Sequence, residues 1–426
     1  MAEQVVSLRT GVRYKDTPVG KIPVDWELAT IGDICDVIGG STPSTKNKIY
    51  WGGDIAFATP TDITNLKGRE ISETKLSITP EGLSSCGSRL LPTGSILLTS
   101  RATLGACAIN TKPMATNQGF ANLVCSQRIY NWFIYYQIIG HQKQLDGLGA
   151  GSTFKEISKS NIKSLLIPIP PLPEQKKIAD ILTTVDDAIQ KATQIIEKTK
   201  ELKKGLMQRF FTRGIGHEGF KKTEVGEMPV EWNVVKLKDI VQKFYNGGTP
   251  DTTNKEYWDG DIPWISGADF ENQKVNRIRR YVTHDGVKNS SINIVPKGSL
   301  LIVTRTGVGK LAIAPFDIAI SHDITGIILD SEKAFPGYIY WYIGHKAARL
   351  RFMIQGTSIS RLLTGDLESF RIPLPPLIEQ EKIAGMLFSV DDEIEKESNY
   401  KQQLELLEKG LMQVLLTGKL RVGVMK

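Results

Sequence analysis

The sequence predicts a mixed α/β (α+β) fold in which two similar globular domains are separated by two long helices paired as an antiparallel coiled coil, a pseudo-twofold internal repeat. Three observations carry this. The stretch "PPLPEQKKIADIL" begins at Pro170, and a near copy, "PPLIEQEKIAGML", begins at Pro375, 205 positions later. The likeness continues upstream and downstream through most of the chain. Each proline-led stretch also opens a long segment with apolar residues at alternating steps of four and three, the spacing of a narrow helical seam.

In chain order, "YKDTPVGKIPVDW" ending at Trp26 answers "FKKTEVGEMPVEW" ending at Trp232. "GGSTPSTKNKIYWGGDI" from Gly39 answers "NGGTPDTTNKEYWDGDI" from Asn246, and "GSILLTSRATLGACAI" from Gly94 answers "GSLLIVTRTGVGKLAI" from Gly298. The offset drifts between 204 and 207 along these pairs, as small loop insertions produce. A period this long exceeds any solenoid repeat and indicates a duplicated domain with a duplicated connector. Short apolar runs such as "SILLTS" and "SLLIVTR", bounded by Gly and Pro, read as strands. The aromatic stretches "NWFIYYQIIGHQKQL" and "GYIYWYIGHKAARL" read as helices, and no regular βαβ alternation appears.

The prolines at 170–173 cannot sit inside a helix, and Arg213-Gly214 gives a basic last turn followed by a terminating Gly. Between them Ile178, Leu182, Val185, Ile189, Ala192 and Ile196 form the seam, which slips near Leu202 and resumes at Leu206 and Phe210. From Pro173 to Phe211 such a helix is about 58 Å long at about 1.5 Å per residue. The second seam runs Ile383, Leu387, Val390 and Ile394, is interrupted by polar Glu397 and Lys401, and continues at Leu404, Leu411 and Leu415. Two such stripes, each one that its own domain need not cover, predict mutual packing. The division follows: a first domain at 1–168, a helical spacer at 169–214, a second domain at 215–373 and a second spacer at 374–426.

At 426 residues the chain is too long for one ordinary core, and 41% hydrophobic with 23% charged residues is ordinary globular composition. No apolar run approaches the roughly 20 residues of a spanning helix, and the first residues lack a secretory signal, so a cytoplasmic protein is expected. Cys35, Cys86, Cys107 and Cys125 show neither CxxC spacing nor nearby His and read as small buried hydrophobes rather than zinc ligands or disulfides. A net charge of +7 permits a nucleic-acid partner without requiring one.

The arrangement of globular domain, "PPLxEQxxIA" helix ending in "KGLMQ", second globular domain and second such helix resembles the specificity subunit of type I restriction–modification systems. The resemblance rests on Pro170 to Gln175 with Lys204 to Gln208, on Pro375 to Gln380 with Lys409 to Gln413, and on the turns at Arg101 and Arg305. It spans Tyr14 to Val422. It implies that each globular domain is a target-recognition domain for one half of a bipartite double-stranded DNA sequence, and that the helices set the gap between halves. It also implies that catalysis belongs to partners: two modification subunits that methylate adenine with S-adenosylmethionine, and ATP-driven restriction subunits. The chain itself is then no enzyme and needs neither cofactor nor metal. Polar Glu397 and Lys401 depart from an apolar seam. Competing readings are an independent bipartite DNA-binding regulator and an adenine methyltransferase with an unrecognised site.

No DPPY-like methyltransferase motif and no GxGxxG opening a helix occurs. "TRTGVGKL" has Thr304 where a P-loop needs its first Gly and Leu311 where Ser or Thr should follow Lys310. The nuclease-like Glu73 and Lys75 are not repeated, because Arg277 stands in place of Glu73 in the second copy. Three loop pairs are the candidate DNA contacts. Ser41, Thr42, Lys46 and Lys48, with Thr249, Thr252 and Lys255, put hydroxyls and lysines on a Gly-led turn suited to phosphate, or form a structural turn before the Tyr-Trp pair. Arg101 with Thr103, and Arg305 with Thr306 and Lys310, extend from strand ends where an Arg can bond guanine or phosphate, or make a salt bridge. Ser152, Thr153 and Lys155, with Thr357 and Ser358, open helices whose N–H groups can take phosphate, or simply cap them. Arg277 and Arg279 lie in a basic stretch that differs between copies and either reads bases or is a solvated charged face.

Overall fold

The computed structural model describes residues 12–101, 103–148, 156–271, 274–275, 277–346 and 362–423. They belong to two compact units: Met1–Gln194 with Ser398–Lys426, and Ile195–Glu397. Each unit contains part of both long helices.

In the first unit a five-stranded sheet runs in the order Cys35–Gly39, Ala121–Cys125, Ile96–Leu98, Cys107–Asn110, Glu70–Ile71. In the second unit the order Val241–Asn246, Ile324–Leu329, Leu300–Val303, Leu311–Ile313 repeats its first four strands. Alternation along the central strands explains why both faces are apolar. Ile96, Leu98 and Ile109 face a core with Phe133 and Tyr136 of the helix Asn131–Gly140, while Leu97 and Ala108 face a second core with Met114 and Phe120. In the second unit Leu300, Ile302 and Leu311 pack with Tyr338 and Trp341 of the helix Pro336–His345, and Leu301, Val303 and Ala312 face the other way. In both aromatic helices consecutive positions are buried, from Phe133 to Ile138 and from Gly337 to Ile343, so they are core helices rather than amphipathic surface ones.

A second sheet completes each unit. Trp51–Ala58 pairs parallel with Met114–Thr116 and antiparallel with Leu76–Ile78, and Trp258–Ile265 pairs likewise with Ile318–Ile320 and Arg280–Val282. Two-stranded ribbons close the units, with Thr30 opposite Leu166 in the first and Lys236 opposite Arg371 in the second. Cys35 lies directly opposite Cys125, where the second unit has Val241 opposite Leu329, so an aliphatic pair serves the same packing position. All four cysteines are free.

The long helices span Leu172–Arg213 and Leu377–Leu415. At 42 residues the first is about 63 Å long. The repeated Glu-Gln that follows the prolines has a mechanical role. Gln175 accepts from the Tyr130 N–H at 2.9 Å and donates to the Pro170 carbonyl at 2.9 Å, joining the start of the aromatic helix to the start of the long one. Gln380 does the same with the Phe335 N–H and the Pro375 carbonyl, each at 2.9 Å.

The seams pack differently from the expectation that their own domains leave them uncovered. Ile178 and Leu182 are fully buried in the first unit's main core, among Phe133 and Tyr136 as well as Leu411 and Leu415 of the second long helix. Ile383 and Leu387 are buried in the second unit's core with Phe210, Phe211 and Trp341. The first turns of each seam thus serve the domain and the other helix together. Val185, Ile189, Val390, Ile394 and Leu404 are half-buried, and Ile196 is buried. Within the first unit Asp186 meets Glu408 while Ile178 and Leu182 lie with Leu411 and Leu415, so the paired segments are antiparallel. Within the second unit Lys203 pairs with Asp391, and Phe210 lies with Ile383, again antiparallel.

The two contacts between helices are equivalent in position but not in charge. Lys203 satisfies Asp391, whereas Glu408 faces Asp186, a carboxylate already held by Arg69 at 3.0 Å and by the Tyr136 hydroxyl at 2.6 Å. Burial, reinforced by the Asp186 charge and by a hydrogen bond to it, pushes the Glu408 carboxyl up to about 7. A proton on Glu408 therefore stabilises the folded state below the ordinary carboxyl value of 4.5, and this contribution is lost as pH rises through about 7. Glu408→Gln is expected to raise the melting temperature at pH 8 and to flatten its dependence between pH 5 and 8; an unchanged pH profile would contradict the assignment.

Among the described residues, no helix is long and apolar enough to cross a membrane, and no group of three or more His, Cys, Asp or Glu is arranged to hold a metal ion.

Candidate nucleic-acid interface

The Gly-led turns are built by close backbone approach. A Cβ on Gly40 would lie 2.0 Å from the Asn117 carbonyl oxygen, and one on Gly247 would lie 2.0 Å from that of Ser321, so only Gly lets the turn cross these loops. Beyond the crossing, the Trp51 indole donates to the Ser44 carbonyl at 3.2 Å, and the Trp258 indole donates to the Asp251 carbonyl at 3.0 Å. The turn after each Gly is thereby held rigid from inside. Lys46, Lys48, Thr252 and Lys255 are exposed on it, while Ser41, Thr42 and Thr249 are half-buried at its base. The Thr253 hydroxyl, followed by its backbone N–H, holds the Asp251 carboxyl below the usual carboxylate range.

The Arg turns are equivalent too. In the first unit the Gly105 N–H donates to the Thr99 carbonyl, and in the second the Gly309 N–H donates to Val303, each at 3.0 Å. Gly105 and Gly309 have φ of +76° and +92°, so the turns need Gly for its left-handed conformation. Arg101 is exposed and pairs through Nε with Glu156 at 2.9 Å, a contact of the kind worth about 0–1 kcal/mol at a surface and easily exchanged for another anion. Arg305 is half-buried, and Thr103 and Thr306 are exposed.

A loop with no motif joins these two sites. The Ser41 N–H donates to the Thr116 carbonyl at 3.0 Å and the Ser100 N–H donates to Gly119 at 2.8 Å, so residues 117–118 lie between the Gly-led turn and the Arg turn. The second unit repeats the arrangement, with the Gly248 N–H on Ile320 at 2.9 Å and the Thr304 N–H on Asp323 at 2.8 Å. Thr42 donates to Gln118, and Thr249 hydrogen-bonds His322. Neither Gln118 nor His322 was a candidate from sequence; the only available signal was their alignment at an offset of 204 with nothing in common.

Other candidates have structural partners. Lys310 folds back to donate to the Gly267 carbonyl at 2.9 Å. Arg279 bonds Asp269 through Nε at 2.6 Å and Ser266 at 3.1 Å. Burial would raise the Asp269 carboxyl, but Arg279 and Ser266 together hold it below the usual range. The basic residues of the divergent stretches also reach the long helices, Arg69 contacting Asp186 and Asp187, and Lys274 contacting Asp392 and Glu395. Arg277 remains exposed. Ser152, Thr153, Lys155, Thr357 and Ser358 lie outside the described residues.

A profile of the type I restriction modification DNA specificity domain matches residues 23–201 and again 229–406. The type I restriction enzyme MjaIX specificity subunit of Methanocaldococcus jannaschii is 31% identical over 98% of this chain and 99% of its own length. The MjaVIII specificity subunit of the same organism is 27% identical over 96% of each chain. In fold, the S subunit of a type I restriction–modification system from M. genitalium superposes with a TM-score of 0.62 at 14% identity, covering 99% of both chains. With two matches that together span most of the sequence, and a full-length relative above 30% identity, the chain belongs to the type I restriction–modification DNA specificity family.

Proposed function

We propose that this chain is the noncatalytic sequence-recognition subunit of a type I restriction–modification complex acting on double-stranded DNA in the cytoplasm, and that each unit binds one half of a bipartite target. The observation that carries the reading is the repeated loop cluster: both units present a Gly-led turn braced by an indole beside an Arg turn, with Lys46 and Lys48 exposed on the first and Lys255 on the second, on a shared scaffold with different side chains. Rigid loops bearing lysines suit phosphate contacts, which set register, and a divergent residue among them suits base contacts, which set specificity. The domains are assigned to 1–168 and 215–373, and the helical segments 169–214 and 374–426 are assigned to fixing half-site spacing and docking two methyltransferase subunits, with ATP-dependent restriction subunits joining the assembly. Adenine methylation with S-adenosylmethionine is the work of those partners.

The test is reconstitution with the methyltransferase subunits of the same system on a randomised duplex library, followed by sequencing of the methylated molecules. A two-part motif with a fixed gap is expected. Arg101→Ala is expected to relax only one half-site, by about 1 to 3 kcal/mol if it bonds a base edge, and Arg305→Ala only the other. Uniform weakening of all sequences would make each Arg a phosphate contact, and relaxation of both half-sites by one substitution would refute the assignment of one unit to one half-site. Sequence-specific binding that never directs methylation would favour an independent DNA-binding regulator.

A further inference from the structure

The loop between the two candidate sites holds the most informative difference between the units. Its backbone is tied on both sides by equivalent hydrogen bonds, so position 118 of the first unit and position 322 of the second occupy the same place on the same scaffold. Each is met by the threonine that follows the Gly-led start of the neighbouring turn, Thr42 or Thr249. The orienting hydroxyl is thus preserved while the oriented group changes from an amide to an imidazole. Both Gln118 and His322 are exposed, so packing does not dictate their identity.

The hydrogen-bonding faces that remain are different. Thr42 donates to Oε1 of the exposed Gln118, which leaves the two Nε2 hydrogens and a second lone pair on Oε1 for another partner. That adjacent donor and acceptor match N7 and the N6 amino group of adenine in the major groove. In His322 the Thr249 hydroxyl lies 2.7 Å from Nδ1, and Asp323 Oδ1 lies 3.7 Å from Nε2. Asp323 lies beyond hydrogen-bond distance and leaves Nε2 unengaged, and with the Thr249 hydroxyl donating to Nδ1 the ring proton sits on Nε2. The group then offers one N–H donor near an acceptor carboxylate, which matches O6 or N7 of guanine together with the N4 amino group of its paired cytosine.

We propose that Gln118 and His322 are the base-discriminating residues at one equivalent position of each half-site, Gln118 selecting adenine and His322 with Asp323 selecting a G·C pair. The proposal rests on the reading of each unit as the reader of one half-site. Thr42 and Thr249 are positioning residues that set which edge of each side chain faces the groove.

The experiment exchanges the two side chains in the full chain, Gln118→His and His322→Gln separately, and applies the reconstituted enzyme to the randomised duplex library. Gln118→His brings the imidazole without the carboxylate, since Gly119 stands where Asp323 does, and is expected to shift one position of the first half-site from adenine towards guanine by about 10-fold in preference. His322→Gln is expected to shift one position of the second half-site the opposite way, with the gap and all other positions unchanged. Thr42→Val should lower discrimination at the first position without changing the preferred base. If the wild-type enzyme yields a bipartite motif that neither exchange alters, or if the affected position is not an A·T pair in the first half-site or not a G·C pair in the second in wild type, this proposal fails while the functional reading stands. If the wild-type enzyme yields no bipartite motif, the functional reading fails with it.

Discussion

Arg421→Met is expected to destabilise the first unit by about 3–5 kcal/mol, because it removes one partner of a buried ion pair and strands the other. Arg421 and Glu174 are 4% and 3% exposed. The guanidinium grips Glu174 through two bonds of 2.7 Å and Asp25 through two of 2.8 Å, while the Trp26 indole donates to Glu174 at 3.3 Å. Without Arg421, the Glu174 carboxylate at the first turn of the long helix keeps, among the described residues, the indole alone and must be protonated or hydrated at a buried position. The second unit supplies the internal control. There His217 stands where Arg421 does, bonding Glu379 at 3.0 Å and Glu231 at 3.0 Å, with the Trp232 indole at 3.1 Å and the Ile215 N–H at 2.8 Å also on Glu379. His217→Ala leaves Glu379 with two neutral donors in a more open site, so a smaller loss, about 1–3 kcal/mol, is expected. Urea unfolding followed by tryptophan fluorescence reads both. A loss below about 1 kcal/mol for Arg421→Met would show that Arg421 does not brace the first unit.

Leu182→Lys is expected to prevent the first unit from folding, whereas Ile189→Lys, seven residues further along the same seam, is expected to be tolerated. Leu182 is fully buried and contacts the domain core as well as the second long helix. Deleting such a side chain alone costs about 2–5 kcal/mol, and an ammonium left in its place adds the cost of an unpaired buried charge. Ile189 is half-buried, so a lysine there keeps its stem on the seam and its charge in water. Limited proteolysis and circular dichroism of the full chain distinguish the two. Equal tolerance would mean that the seam is a contact between helices only, and equal failure would mean that the coil is as dry at Ile189 as at Leu182.

Much of the architecture was legible because it depends on local chemistry repeated twice. Prolines before Leu172 and Leu377, an apolar spacing of four and three, and Gly214 after the last basic turn place the first long helix to within two residues of where it lies. The strands around Ile96–Leu98 and Leu300–Val303 were legible as apolar runs, but the two cores that their alternate residues face were not, since a run buried on both sides carries no alternation. The candidate interface was legible only in part. The Gly-led and Arg turns stand out because they recur, yet recurrence marks the shared scaffold, and a residue that differs between copies leaves no pattern to find.

The sequence by itself determined the duplication, the long helices, the family and the turns that the two units share, because each is written in spacing or in a motif that persists through both copies. Only the tertiary structure decided what the charged and polar side chains are for. It set Lys310 and Arg279 against their own domain, Arg69 against Asp186 and Asp187, Arg421 and His217 in one bracing role, and Gln118 and His322 between two turns, each beside a threonine. The physical reason is range. A helix or a tight turn is selected by residues a few positions apart, whereas an ion pair or a hydrogen bond is selected by atoms about 3 Å apart in space, and Glu174 and Arg421 are 247 positions apart in the chain.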